Sequence, residues 1–305
     1  MYIYTAYNLG IHCEFPLPEL IPSDNPADVV IRFGKLDDLQ QKPNDGGNYL
    51  LATIEGFGKL WVQEGREIIL VPNPGVDEAM TRTFLLGVIL CVLLRQRGLL
   101  VLHASSVVIN GSAIAFMGES GWGKSTLAEY FHHQGYSILT DDVLAIDTNL
   151  PQPMVIPGFP QIKLWPDAAA SVGHNLESLP LLNSETVKRV HRLQDGFYQK
   201  SVPLKRLYVL AGGTHPEIIP LEPQQSFAQL VRHSREKQAL TNPEFLRAHF
   251  QQCTTLVKQV PILKLQRERS LAAIPDLIKL IEDDLANSLS SLENSSQVFV
   301  PRIRR

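Results

Sequence analysis

The residues Gly118-Glu119-Ser120-Gly121-Trp122-Gly123-Lys124-Ser125 carry the clearest chemical signal in the chain. A glycine, four residues, then glycine, lysine and a hydroxyl residue is the spacing that holds the phosphates of a nucleoside triphosphate. Glycines let successive backbone N–H groups turn toward phosphate oxygens with no Cβ in the way. A helix beginning near Lys124 adds its positive N-terminal end. Lys124 brings a mobile positive charge to the outer phosphates, the Ser125 hydroxyl can ligate magnesium, and Thr126 completes the nucleotide-binding run. The apolar run Ala113-Ile114-Ala115-Phe116-Met117 reads as a strand entering this loop, and Thr126 to Gln134 as the helix leaving it. The expected ligands are ATP and Mg2+.

Asp141-Asp142 is the second element. It follows the apolar strand Ser137-Ile138-Leu139-Thr140, one helix after the glycine loop, so the two strands are expected to be neighbours. That adjacency would bring both carboxylates to the strand ends beside a triphosphate, one to hold magnesium and the other to accept a proton from an incoming hydroxyl. A solvated aspartate pair opening a turn is the plain alternative. The third element is His103, which ends the apolar strand Leu99 to His103; a lone histidine there is usually structural.

These residues need a scaffold, and the rest of the chain supplies one. The 305 residues, 44% hydrophobic and 19% charged, suit a large catalytic domain carrying a smaller one. The net charge of -3 offers no general attraction to nucleic acid or anionic lipid. Cys13, Cys91 and Cys253 lie in no metal-ligand spacing and are expected to be reduced thiols. No signal peptide is read at the start, and the apolar stretch Phe84 to Leu94 is too short to span a bilayer, so a cytoplasmic protein is expected.

Residues 1–76 read as a small N-terminal β-rich domain, with strands at Val29 to Gly34, Lys59 to Val62 and Glu67 to Val71 and a loop at Asn44-Asp45-Gly46-Gly47. Val76 to Arg97 reads as a helix stopped by Gly98. The catalytic domain is expected over 77–285, with further strands at Leu207 to Leu210 and Pro261 to Leu265 and a closing helix bearing Leu277, Ile278, Ile281 and Leu285. Asn175 to Ser201 is polar and basic, a candidate mobile loop, and Ser/Asn-rich 286–305 reads as a flexible tail. Trp165 and Phe159, large aromatics in apolar surroundings, are expected in the core.

Taken together, His103-Ala104-Ser105, Phe116 to Thr126, Gly135-Tyr136 and Asp141-Asp142 resemble the catalytic half of HPr serine kinase/phosphorylase. The order of parts is also similar to phosphoenolpyruvate carboxykinase. The resemblance covers residues 98–147 and continues more loosely through Pro157 to Asp167 and the closing strand and helix. It implies an α/β P-loop kinase core of the HPr kinase/phosphoenolpyruvate carboxykinase type. It further implies metal and proton-transfer roles for the aspartate pair and a place in the active site for His103. We assign the base role to Asp142 and metal organisation to Asp141 with Ser125, roles that are open to exchange. Where HPr kinases carry a Glu-x-Arg-Gly segment, this chain reads Pro157-Gly158-Phe159-Pro160-Gln161-Ile162-Lys163-Leu164-Trp165. That stretch looks more like the stand-alone HPr-kinase-related proteins, some of which phosphorylate a serine of a ribosomally made peptide such as a lasso-peptide precursor.

The expected reaction moves the γ-phosphate of ATP to a hydroxyl, favouring a serine of a peptide or protein. Lys188, Arg189, Arg192 and Lys200 are placed to close over the phosphate, or form a solvated basic face. A small-molecule kinase and a nucleotide-dependent regulatory module are the rival readings. No nucleic-acid or membrane partner is expected; whether the chain forms a homo-oligomer is open.

Overall fold

The computed structural model describes residues 1–35, 48–236 and 243–296; Asn44 to Gly47 and the last residues of the tail lie outside them. The first sheet holds β1 (Tyr2–Ala6), β2 (Leu9–Cys13), β3 (Ile21–Pro22), β4 (Val29–Phe33), β5 (Tyr49–Ile54), β6 (Gly58–Gln63) and β7 (Glu67–Pro72), in the order β3-β1-β2-β4-β7-β6-β5. Tyr7 and Asn8, at φ 54° and 58°, make the turn between β1 and β2. Two successive left-handed residues match the twist of a tight hairpin. This turn pushes Tyr7, 2% exposed, into the interior, where its hydroxyl donates to the Val143 carbonyl at 3.1 Å and its N–H to the Pro157 carbonyl at 3.0 Å.

The expected helix before Gly98 comes in three parts: α1 (Glu78–Phe84), a π turn over Leu85–Ile89, and α2 (Leu90–Gln96). Asp77 caps it by accepting from the Met80 N–H at 2.7 Å. At the π turn the Leu90 N–H reaches back to Leu85. Such an insertion turns the helix face by a residue, which periodicity alone does not reveal. Leu86, Leu90, Leu93 and Leu94 share one core with Ile11, Ile31 and Leu60 of the first sheet and with Val143 and Ala145. The expected division near residue 76 therefore falls between segments that bury their apolar faces against each other.

The nine-stranded second sheet, counted among the described residues, takes β8 (Leu100–Leu102), β9 (Ala104–Ile109), β10 (Ser112–Met117), β11 (Ser137–Thr140), β12 (Leu144–Asp147) and β13 (Met154–Ile156). A separate pair, β14 (Gln161–Leu164) and β15 (Arg189–Arg192), is antiparallel. The second sheet is completed by β16 (Val202–Gly212), β17 (Glu217–Pro220) and β18 (Ile262–Arg267). Its main path runs β11-β9-β10-β16-β13-β12-β8, with β18 parallel to β16. The strand entering the glycine loop, β10, and the strand leading to the aspartates, β11, are therefore not neighbours: β9 lies between them, antiparallel to both. The reason is local. Asn110 and Gly111, at φ 50° and 73°, close a tight β9–β10 hairpin. The helix after the loop, α3 (Lys124–His133), then crosses over β9 and delivers β11 to its far side.

Period-two alternation places β10 between two layers. Ile114 and Phe116 pack with Leu127 and Phe131 of α3 and with Leu277, Ile278 and Ile281 of the last helix. Ala113, Ala115 and Met117 face Leu230, Cys253 and Leu256. A strand covered on both faces reads as a continuous apolar run. The remaining helices are α4 (Pro166–Ser171), α5 (Pro223–His233), α6 (Pro243–Gln259) and α7 (Ile274–Ser296). α7 continues beyond Leu285 into the segment read as a tail, which has no proline or glycine before Pro301 to end a helix. The segment Asn175 to Ser201 is not a plain loop, since it contributes β15. No described helix is long and apolar enough to cross a membrane.

The β9–β10 turn yields a test. A Cβ on Gly111 would meet nothing within 4 Å, so Gly111→Val meets only the conformational penalty of its positive φ. We expect a loss of about 1–2 kcal/mol, measured by denaturant unfolding.

Candidate functional site

Three strand ends meet at one edge of the second sheet. Met117 ends β10 opposite Ala104, and Ser106 pairs with Thr140 at the end of β11. The glycine loop, the Asp141-Asp142 turn and His103 all emerge here. They line one cavity together with Lys163, Trp165 and Lys188. Crevices beyond the carboxyl ends of parallel strands are the usual ligand positions in such sheets.

Within the loop, Gly121 and Gly123 take φ of 79° and 81°, conformations that L side chains rarely adopt. Two loop carbonyls, those of Gly121 and Trp122, are held from outside: Arg269 Nη2 donates to Gly121 O at 2.9 Å and Arg267 Nη2 to Trp122 O at 2.7 Å. Arg269 also lies over the Trp122 ring, 5.2 Å from its centroid. Lys124 curls back, its Nζ donating to Gly118 O at 2.9 Å and Glu119 O at 3.0 Å. Burial pushes its ammonium down to about 8, against the pull of Asp141 and Asp142. Glu119, Ser120 and Gly121 are exposed; Ser125 is half-buried and Thr126 buried. Glu119 turns outward to Arg232 at 2.6 Å.

The two aspartates are held differently. Asp141, 4% exposed, accepts from Ser105 Oγ at 2.5 Å through Oδ1 and from the Lys163 N–H at 2.9 Å through Oδ2. Asp142 faces two cations, Lys163 Nζ at 2.9 Å and the Arg235 guanidinium, and the His103 imidazole, with Nε2 at 3.2 Å. Burial works to raise the Asp142 carboxyl, but these partners outweigh it, Lys163 most, and hold it well below the usual carboxylate range. Burial lowers His103, so its imidazole favours the neutral form despite the Asp142 bond. Asp142 sits at φ 72°, a left-handed conformation that aspartate tolerates better than most residues. A Cβ on Gly87, in the π turn, would stand 4.0 Å from its Oδ2, so this turn lets the helix pass close to the carboxylate.

Sequence reasoning expected Gly118 to Thr126, His103, Asp141 and Asp142 at one site; Ser120, Gly121, Gly123 to Thr126, His103, Asp141 and Asp142 line the cavity, whereas Gly118, Glu119 and Trp122 do not. It passed over Lys163, whose polar position in the alternation Gln161-Ile162-Lys163-Leu164 was the available signal. It also passed over Arg235, Arg267 and Arg269, which lie in no motif. Of the four basic residues in Asn175 to Ser201, Lys188 reaches the cavity, 5.1 Å above the Trp165 ring. Arg189 turns to the Leu179 carbonyl, Arg192 toward Glu19, and Lys200 is exposed. Phe159 is buried as expected, but Trp165 is 42% exposed at the cavity rim, because it caps α4 and Pro166 starts the helix behind it.

The structure is similar to that of an HPr(Ser) kinase/phosphatase from Coxiella burnetii, at 12% identity and a TM-score of 0.34. The likeness covers 63% of this chain and 96% of that one. No protein-family model matches the sequence, and no curated protein matches it significantly.

The charge arrangement around Asp142 is open to measurement. Asp142→Asn keeps the left-handed backbone accessible but leaves Lys163 and Arg235 facing a neutral group, and we expect a loss of about 3 kcal/mol at neutral pH. A carboxyl whose folded pKa is depressed stabilises the fold above its unfolded value near pH 4 and loses that contribution as pH falls through the folded value. The gap between wild type and variant in urea unfolding should therefore narrow below about pH 4.

Proposed function

We infer that this site binds Mg-ATP and transfers its terminal phosphate to a hydroxyl. The observation that carries the reading is the glycine loop itself: two glycines at positive φ, carbonyls tethered outward by Arg267 and Arg269, and a buried lysine at the helix start, all opening on a carboxylate pair. With the carbonyls tied from behind, the loop N–H groups and the start of α3 are left to meet an anion. Lys124, now resting on two loop carbonyls, can turn to phosphate oxygens within the same cavity. Next to it a hollow of about 440 Å³, lined by Gly123, Thr126, Arg267, Arg269, Leu271 and Ile274, has the size and mixed lining for a nucleoside.

The donor set fits magnesium, which prefers hard oxygen ligands. The Ser125 hydroxyl and the Asp141 carboxylate would hold it, and the ion would neutralise charge on the outer phosphates. Ser105 and the Lys163 N–H fix the Asp141 carboxylate in advance. Lys163, His103 and Arg235 set the orientation of Asp142, which lines up the acceptor hydroxyl and takes its proton. Its depressed pKa is compatible with this role, because in a loose phosphoryl transfer positioning matters more than a strong base.

The acceptor side is the rim formed by Trp165 and Lys188. An exposed aromatic plate beside a cation gives an extended chain something to lie against, which favours a seryl peptide over a free metabolite.

Millimolar Mg-ATP should raise the melting temperature of the wild type and raise that of Lys124→Ala much less. Asp142→Asn should cut transfer by about a hundredfold to ten-thousandfold while leaving ATP binding in place, and Asp141→Asn should raise the magnesium requirement. Mass spectrometry of products from candidate peptides and a panel of hydroxylated metabolites identifies the acceptor. Efficient phosphorylation of a metabolite with every peptide inert would move the reading to a small-molecule kinase. Tight ATP binding with no transfer to either would leave a regulatory module.

A further inference from the structure

Away from the glycine loop, one and a half turns along α3, Glu129 carries a carboxylate that is 3% exposed. Two imidazoles converge on it: His174 Nε2 at 2.7 Å and His191 Nδ1 at 3.0 Å, both from Oε1. The three side chains each offer a ligand atom, and these atoms all lie within 4.8 Å of one another. They come from separate parts of the fold: α3, the turn after α4, and β15. The trio opens on a hollow also lined by His132, His133 and Asp195, so a metal there would keep access to water or a further ligand.

We propose that Glu129, His174 and His191 form a zinc site. Two nitrogens and one carboxylate oxygen are a donor set that zinc accepts, and magnesium, which favours oxygen, does not. Around a tetrahedral zinc with bonds of about 2.0–2.1 Å, ligand atoms stand about 3.3 Å apart. The observed 2.7 and 3.0 Å separations would open by about 0.6 and 0.3 Å to admit the ion, and the two imidazole nitrogens, within 4.8 Å of each other, would settle to the same spacing. The imidazoles bind in neutral form, releasing any proton they carry. The burial of Glu129 supports this use, since a carboxylate inside the fold needs positive charge nearby.

The site's position gives it a task. β15 pairs with β14, with Ile162 opposite His191, and Lys163 is the next residue along β14. Trp165 caps α4, His174 follows that helix, and Lys188 lies just before β15. Zinc would thus pin both sides of the segment that carries Lys163, Trp165 and Lys188 to the helix that starts at the glycine loop. It is a structural clip for that wall of the candidate site and needs no nucleotide to form.

The test uses the full chain, stripped with chelator and dialysed. Zinc titration by calorimetry should give one ion per chain, a raised melting temperature, and, with Co2+ in its place, the intense visible absorption of a tetrahedral site. His174→Ala and His191→Ala should each weaken zinc by at least about a hundredfold, beyond the loss typical of outer-shell changes, and remove the cobalt band. Lys124→Ala should bind zinc like the wild type, so failure of the nucleotide reading would leave this result standing. Should either histidine variant fold poorly, the wild-type stoichiometry and the cobalt spectrum decide alone. Absence of zinc binding at micromolar concentration, an octahedral cobalt spectrum, or unchanged zinc affinity in both folded histidine variants would overturn the proposal.

Discussion

Asp142 brings a full negative charge to a place where its side chain is only 18% exposed, and a charge so placed must be met by protein cations. Lys163 from β14 and Arg235 from the turn after α5 supply them, and His103 from the end of β8 adds a hydrogen bond. Arg235 and His103 are held in turn from further out. Arg95 of α2 donates to the Arg235 carbonyl at 2.7 Å, and Arg235 returns its N–H to Val101 at 3.0 Å. The His103 N–H donates to His233 at 2.8 Å. Tyr7, from the first sheet, holds the Val143 carbonyl just behind the aspartate turn. One carboxylate thereby ties both sheets and two helices to a single point.

The electrostatics of the site run against those of the chain. The whole sequence carries -3, yet Lys124, Lys163 and Lys188 line the cavity with Asp141 and Asp142, Arg235 pairs with Asp142, and Arg267 and Arg269 line the adjoining hollow with Asp167. An excess of positive charge in a partly closed cavity attracts a polyanion and would repel a second cation on its own. In the proposed reading that balance suits a triphosphate arriving together with magnesium, where the ligand brings the charge that the protein is short of.

The sequence made much of this readable, and what it hid has physical causes. The glycine loop, with a strand before it and a helix after it, depends on residues adjacent in the chain, so its pattern survives in one dimension. β9 was passed over because Ala104-Ser105-Ser106-Val107-Val108-Ile109 shows no alternation; it is buried on both faces, with both serines satisfied by hydrogen bonds to Asp141 and Ile114. Arg235 meets Asp142 across 93 residues of chain, and no local spacing encodes such a pairing. The same holds for Glu129, His174 and His191. Trp165 misled by its apolar neighbours, since the turn into α4 decides its direction.

The insertion of β9 also bears on what the site can hold. Adjacent strands lie about 4.8 Å apart, so placing β9 between β10 and β11 sets the glycine loop and the aspartate turn roughly 10 Å apart at the sheet edge. Direct adjacency would have halved that gap. With the gap open, Lys124 rests on its own loop and Asp141 on Ser105 of the intervening strand. The two charges still attract, but each group keeps its own hydrogen-bond partner, which in the proposed reading leaves the space between them for an anion and its metal. In the proposed reading the strand that the sequence concealed is therefore the spacer that keeps the two halves of the site apart.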